Sequence, residues 1–346
     1  MAFDPATFDP DAAAPADSGV FGLPFSPDES RVVIIPVPWE ATTSYGAGTS
    51  GGPAAVLDAS KQVDLFDHET GEPFREGIAM LEIPGEVTEW GRVAKSLAEP
   101  VIDNGGTGGD RDLQDALDSV NEMGEKLNEW VYAQTRRWLD AGKMPVVLGG
   151  DHAVPYGAIR AYAEKNPGMG ILHLDAHADL RDSFEGFTWS HASIFHNVMT
   201  RLDRVGKLVQ VGVRDLGRAE RAMIDGSGGR IVTFYDADLA VQREGGRSWA
   251  SIADEIVAAL PETVYLSWDI DGLDPTLCPH TGTPVPGGLS WNEAVGLLRA
   301  LVRAKKRIVG LDLCEVAPGE SEWDANVGAR LLYKMIGFAL KSQAAR

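Results

Sequence analysis

The chain has 346 residues, with 31 Lys and Arg against 51 Asp and Glu, and its formal charge of −20 excludes a protein that binds nucleic acid by covering phosphates with positive charge. At 44% hydrophobic and 24% charged it has an ordinary globular composition and enough length for one large α/β domain or two smaller ones. No apolar run is long enough to span a membrane, the acidic Pro/Ala-rich start lacks a signal peptide's basic and apolar regions, and two cysteines are too few for a disulfide framework. These features predict a cytoplasmic protein.

Residues 1–29 alternate Asp, Pro and Ala without a hydrophobic period, and read as an extended N-terminal arm lying on the body or on a neighbouring subunit. Arg31–Pro38 (RVVIIPVP) is a continuous apolar run, as expected of a strand buried on both faces of a parallel sheet. The Gly-rich loop SYGAGTSGG follows, then a helix over 53–66. Residues 70–112 read as irregular, with Asn104–Asp110 as a loop tip, and lead into an amphipathic helix over 113–139. From there, apolar runs (MPVVLG, GILHLD, KLVQVGV, RIVTFY, TVYLSWDI, RIVGLDL) alternate with helices over 153–165, 190–203, 249–260, 290–304 and 323–343. Such alternation predicts a single α/β domain over 30–346, its parallel sheet wrapped on both faces by helices.

Ionisable residues gather where three of these strands end. MPVVLG runs into Gly150, Asp151 and His152; GILHL runs into Asp175, His177 and Asp179; TVYLSW runs into Asp269, Asp271 and Asp274. Ligands of open parallel sheets bind outside the carboxyl ends of strands, so the three segments are expected at one edge. Asp175, His177 and Asp179 alternate with small alanines and share a side, as do Asp269 and Asp271. Several ionisable groups at the end of an apolar strand face a large desolvation cost unless neutralised, and a cation is the usual answer. His152, Asp175, His177, Asp179, Asp269 and Asp271 supply two imidazoles and four carboxylates, enough negative charge for two divalent ions of the manganese type. Asp151 has the place of a helix-capping residue and Asp274, before Pro275, that of a turn former.

The segments GGDHAVPYG, LDAHADLRD, SHAS, SWDIDGLDPTLCPHTGTPVPGGLS and GLDLCEVAP resemble the ureohydrolase family of arginases, agmatinases, guanidinobutyrases and formiminoglutamases, over roughly residues 31–341. The resemblance implies a three-layer α/β/α arginase-like fold with a mainly parallel eight-stranded sheet, assembled as a homotrimer or homohexamer. It also implies a site for two Mn²⁺, with Ni²⁺ as the alternative, that cleaves a small guanidino substrate to urea and an amine. By the same resemblance His152, Asp175, Asp179 and Asp269 hold one ion, while His177 and Asp271 hold the other together with the shared Asp175 and Asp269. Asp179 matches the residue that passes a proton to the leaving nitrogen, Glu315 the carboxylate that orients the guanidinium, and His191 a proton-shuttling or substrate-loop histidine. Thr283 matches a threonine near the guanidinium, and Asp215 a substrate-side carboxylate.

Departures from the family pattern bear on the substrate. Where arginases carry an Asn and a second Asp to read the amino-acid head of arginine, this chain has Arg181 and Gly217, which points toward the agmatinase branch. Asp182 and Glu185 suit a distal ammonium, whereas Arg181 suits a distal carboxylate, and Trp323 either packs the last helix or narrows the pocket for free guanidine. Cys278 and His280 are expected to pack their loop. An amide deacetylase with a single metal and a noncatalytic metal-stabilised assembly are the readings from other classes.

Overall fold

The computed structural model describes residues 8–344. Eight strands form one sheet: β1 (Val32–Val37), β2 (Ile78–Met80), β3 (Met144–Gly149), β4 (Met169–Leu174), β5 (Val205–Val213), β6 (Ile231–Tyr235), β7 (Thr263–Asp269) and β8 (Arg307–Cys314). Their order is β2-β1-β3-β8-β7-β4-β5-β6, and every neighbouring pair is parallel. The helices are α1 (Gly52–Ser60), α2 (Gly85–Asp103), α3 (Arg111–Asp140), α4 (Tyr156–Lys165), α5 (Ile194–Arg201), α6 (Arg218–Gly226), α7 (Asp236–Glu244), α8 (Trp249–Ala258), α9 (Trp291–Arg303) and α10 (Trp323–Ala344).

Strand alternation creates the three layers. In β1, Val32 and Ile34 join the core under α1, α8, α9 and α10, while Val33, Ile35 and Val37 join the opposite core with Leu127 and Val131 of α3 and Ala158 of α4. Both faces are covered, which is why the parallel strands read as unbroken apolar runs. The described part of the N-terminal arm lies on the body: Val20, Phe21 and Leu23 are buried, the Phe21 N–H donates to Ser60 Oγ at 2.8 Å, and its ring meets Tyr333.

Residues 70–112 depart from the irregular reading, because they contain the edge strand β2 and the 19-residue helix α2. The buried face of α2 is Val87, Gly91, Ala94, Ala98 and Val101, a helical spacing of mostly small side chains that lets it lie close to α3 and to Trp39. Pro100 falls in its last turn, where it leaves the carbonyl of Ser96 without its helical N–H donor shortly before the helix ends. The helix predicted from 113 starts at Arg111 because the Asp110 carboxylate accepts the N–H groups of Asp112 and Leu113. Helices α6 and α7 were also unforeseen.

The four central strands, β3, β8, β7 and β4, are adjacent in the sheet. Their carboxyl ends therefore meet at one edge, although the segments leaving them are spread along the chain from Gly150 to Glu315.

Candidate metal centre

Each central strand delivers its polar residues directly from its last turn. β3 continues into Gly150, Asp151 and His152, β4 into Asp175–Asp179, β7 into Asp269–Asp271 and β8 into Glu315. Asp179 and Glu315 have φ of 53° and 63°, left-handed values that non-glycine residues adopt at a cost and that cluster at functional sites.

The six predicted ligands converge as two groups that share Asp175. His152 Nδ1 lies 3.0 Å from Asp175 Oδ2 and 3.4 Å from both Asp179 Oδ2 and Asp269 Oδ2. His177 Nδ1 lies 3.1 Å from Asp271 Oδ2 and 3.4 Å from Asp175 Oδ1. Asp269 Oδ1 accepts the Asp271 N–H at 2.8 Å, and Asp271 Oδ1 accepts the Ala176 N–H at 2.9 Å, so backbone amides brace both carboxylates. Asp271 Oδ2 and Glu315 Oε2 are buried and accept no hydrogen bond, which fits oxygens built to face a cation.

Charge within the cluster follows from burial. For His177, burial lowers the pKa, but Asp271 and Asp175 outweigh it and lift the imidazole to about 12. Burial and the Asp175 charge push Asp179 up to about 8, and burial with Asp271 and Asp175 holds Asp269 well above the carboxylate range. At Asp175 burial acts upward, yet the surrounding histidines win and hold it well below that range. A divalent ion bound here would compete with these protons.

A polar row crosses the sheet beneath this cluster. Asp312, Ser267, His173, Gln210 and Thr233 are register neighbours on β8, β7, β4, β5 and β6, and all but Thr233 are fully buried. Ser267 Oγ donates to Asp312 Oδ1 at 2.9 Å and lies 3.0 Å from His152 Nε2. Because Ser267 spends its only proton on Asp312, its oxygen accepts from His152 Nε2–H, and His152 Nδ1 is turned toward the carboxylates.

Above the cluster opens a cavity of about 190 Å³ lined by His177, Asp179, His191, Thr283, Asp215 and Arg181, with Ser44, Phe184, Ala192 and Glu220 completing its wall. His191, Thr283, Asp215 and Arg181 therefore line one space, whereas Glu315, Asp182 and Glu185 are not part of its lining. Glu315 itself lies beneath the loop that carries Thr283, with Gly282 packed against its Oε2. His191 Nδ1 is 3.3 Å from Thr42 Oγ1, and burial together with the His177 charge lowers the imidazole to about 4. The Arg181 guanidinium lies over the Phe184 ring and 3.7 Å from Glu220 Oε2. Outside the cavity, Asp182 is exposed beside His196, and Trp323 opens α10 and donates through Nε1 to Thr276 O at 2.9 Å.

The residues read as structural are hydrogen-bonded within the protein, although Asp151 does not cap α4, whose N-cap is Pro155. Asp151 accepts from the N–H groups of Ala41 and Ala153, Asp274 accepts from Thr276, and His280 is tied to Asp324. Cys278 is buried with Sγ 3.3 Å from Ile270 O. Three residues that shape the site were missed. Glu220 accepts the Leu180 N–H at 3.0 Å and the Gly217 N–H at 2.5 Å, joining the segment after Asp179 to the Asp215 turn. Glu40 accepts from the N–H groups of Gly48 and Ser50 and pairs with Lys95 of α2, fastening the loop that brings Ser44 to the cavity. His173 is the third.

An all-parallel α/β sheet whose central strand ends gather two imidazoles and four carboxylates around a shared aspartate defines a protein with a clustered metal-ligand site. The family model described as the arginase family matches residues 30–337, and the chain belongs to that family. It is 36% identical over 319 residues to an N(1)-aminopropylagmatine ureohydrolase of Thermus thermophilus, covering 92% of this chain and 94% of that one. It is 33% identical over 323 residues to the agmatinase of Proteus mirabilis, covering 91% and 90%. Among solved structures, the agmatine ureohydrolase of Thermoplasma volcanium superimposes with a TM-score of 0.69 at 22% identity over 99% of this chain and 98% of that one. The proclavaminate amidino hydrolase of Streptomyces clavuligerus gives 0.72 at 22% over 96% and 100%, which extends the agreement in fold. Among the described residues, no helix is long and apolar enough to cross a membrane.

Proposed function

We propose that this chain hydrolyses the guanidino group of a small aliphatic amine, of the agmatine or N1-aminopropylagmatine type, to urea and an amine at a pair of manganese ions. The carrying observation is Asp175, which turns one oxygen to His152 and the other to His177 and so divides six ligands into two groups. His152, Asp175, Asp179 and Asp269 would hold one ion, and His177 and Asp271 the other with Asp175 and Asp269. The carboxylate-rich set suits Mn²⁺, with Ni²⁺ the alternative.

Two divalent ions held there would supply the Lewis acidity needed for water to attack a resonance-stabilised guanidinium carbon near neutral pH. The protein's own groups do the rest. Glu315 Oε2, free of partners, meets the planar cation through charge-assisted hydrogen bonds. Asp179 takes a proton from the attacking water and passes it to the departing nitrogen, while His191, held neutral on the same cavity wall, takes the place of the proton-shuttling or substrate-loop histidine. Asp215 offers its charge to a distal ammonium.

Arg181 supports a second reading. It lines the cavity while both oxygens of its neighbour Glu220 already accept backbone N–H groups, so it can pair a distal carboxylate such as that of guanidinobutyrate. The experiment is urea release, with Mn²⁺ and separately with Ni²⁺, from agmatine, N1-aminopropylagmatine, guanidinobutyrate, arginine, formiminoglutamate and guanidine. The highest kcat/KM on either amine supports the proposal. Preference for guanidinobutyrate moves the distal contact to Arg181. No urea from any substrate overturns it, and one metal per chain with amide cleavage favours a deacetylase. Sizing of the same protein tests the trimer or hexamer that accompanies this reading.

A further inference from the structure

His173 is close enough to the cluster to count among its ligands, since one of its nitrogens shares a 4.8 Å neighbourhood with donor atoms of His152, Asp175 and Asp179. The hydrogen bonds around it decide otherwise. Gln210 Nε2 lies 2.7 Å from Ala178 O, and a backbone carbonyl only accepts, so the atom facing it is the amide nitrogen. With the amide oriented in this way its Oε1 faces Thr233 Oγ1, whose hydroxyl donates to it at 2.9 Å. The remaining amide proton points at His173 Nδ1, 3.0 Å away, and Nδ1 must receive it with its lone pair. The ring proton therefore sits on Nε2, which donates to Asp175 Oδ2 at 2.8 Å. With one nitrogen committed to Gln210 and the other carrying a proton, His173 has no lone pair for a metal.

We propose that Thr233, Gln210 and His173 form a positioning relay that presents Asp175 to both halves of the metal centre, and that His173 is not a ligand. The three residues stand directly opposite one another across β6, β5 and β4, so the regular sheet sets their spacing. The Phe195 ring, its centroid 4.0 Å from that of His173, fixes the imidazole plane. The His173 proton anchors Asp175 Oδ2 on the His152 side, and the His177 N–H anchors Oδ1 at 2.6 Å on the other. Each oxygen keeps a further lone pair for an ion. Without the relay the carboxylate can rotate about its Cβ–Cγ bond and serve one ion at the expense of its partner.

This inference rests on the two-ion reading above, and its test separates the two. Mn²⁺ affinity and stoichiometry would be measured by equilibrium dialysis for wild type, His173→Phe, His173→Gln and Gln210→Met, with thermal unfolding in chelator as a separate report on folding. Loss of an oriented outer partner lowers metal affinity about 10–100-fold, which is the drop expected for His173→Phe and, more weakly, for Gln210→Met. His173→Gln places an amide N–H where the imidazole Nε2–H was and should recover most of the affinity. Wild-type affinity in His173→Phe overturns the relay, and so does a His173→Gln protein as weak as His173→Phe, since a lost ligand is not replaced by an amide donor. Should His173→Phe fail to fold in chelator, Gln210→Met decides, because it touches no metal ligand: unchanged affinity there overturns the relay. A wild-type protein that binds fewer than two ions overturns the two-ion reading instead.

Discussion

Glu315 Oε1 accepts the backbone N–H of His152 at 2.9 Å, which ties the end of β8 to the end of β3 and leaves Oε2 buried under the loop that carries Thr283, without a partner. Burial and the nearby Asp151 charge hold this carboxyl well above its ordinary range, so an arriving guanidinium finds a group that gains from ionising against it. Glu315→Gln keeps the His152 contact but sets an amide donor against the donors of the cation. A hydrogen bond to a charged group is worth about 1.5–3 kcal/mol, so kcat/KM for urea release should fall about 10–100-fold with two metal ions still bound. Unchanged kcat/KM would remove Glu315 from the substrate contact.

Asp175 and Asp271 both ligate in the proposed scheme, but they are not equivalent. Asp175 faces both imidazoles, whereas Asp271 Oδ2 faces only His177. Asp175→Asn should therefore abolish tight binding of both ions. Asp271→Asn should leave about one per chain, since the His152 half keeps its own donors. Metal analysis after dialysis distinguishes them, and equal loss in the two variants would show that the halves do not bind independently.

What was legible in the sequence follows from local pattern. The central strands were visible because burial on both faces makes them continuous apolar runs, and the six candidate ligands because five of them alternate at the ends of those runs. α2 escaped because its buried face is built from Gly91, Ala94 and Ala98, which pack closely yet carry little hydrophobic signal, and β2 because three residues give no period. His173 continues the alternation of Asp175, His177 and Asp179 backward into an apolar strand, where it reads as strand interior. Glu40 and Glu220 act on backbone N–H groups at some distance along the chain, Glu220 on that of Leu180, 40 residues away, and such pairings leave no trace in spacing.

Glu40 makes the Gly-rich loop sensitive to acid. Burial raises its pKa, but Lys95 and the N–H groups of Ser50 and Gly48 outweigh that, and the folded-state value lies below the ordinary 4.5. A carboxyl depressed on folding stabilises the protein above its unfolded pKa, and that contribution is lost as pH falls through the lower, folded value. Between neutrality and about pH 5 the clamp should therefore be constant, and below about 4.5 it should weaken. In Glu40→Gln, urea release should show a raised KM at neutral pH with kcat less affected, because Ser44 loses its place on the cavity wall. The variant's unfolding midpoint should also fall less than wild type's on acidification. Parallel acid curves for the two proteins would show that Glu40 is not the group responsible.

At Gly150 the turn leaving β3 packs directly on the turn leaving β1. A Cβ at this position would lie 1.9 Å from Trp39 O and 2.8 Å from Trp39 C, so the clash is with backbone and no side chain can swing aside to relieve it. The residue's own polar groups are committed as well, its N–H to Val37 O at 2.9 Å and its carbonyl to the Glu315 N–H at 2.8 Å. Gly150→Ala must therefore move the turn that holds both His152 and the base of Glu315, instead of being absorbed locally. Strain of this kind costs about 1–3 kcal/mol, which a protein of this size should survive as a folded chain. The ligands cannot survive it in place, because His152 follows two residues later and must keep Nδ1 near three carboxylates at once. The variant should fold, unfold at a lower temperature, and bind Mn²⁺ at least about tenfold more weakly on the His152 side, with urea release falling in parallel. Wild-type metal affinity in a destabilised Gly150→Ala protein would show that the turn flexes without carrying its ligand along.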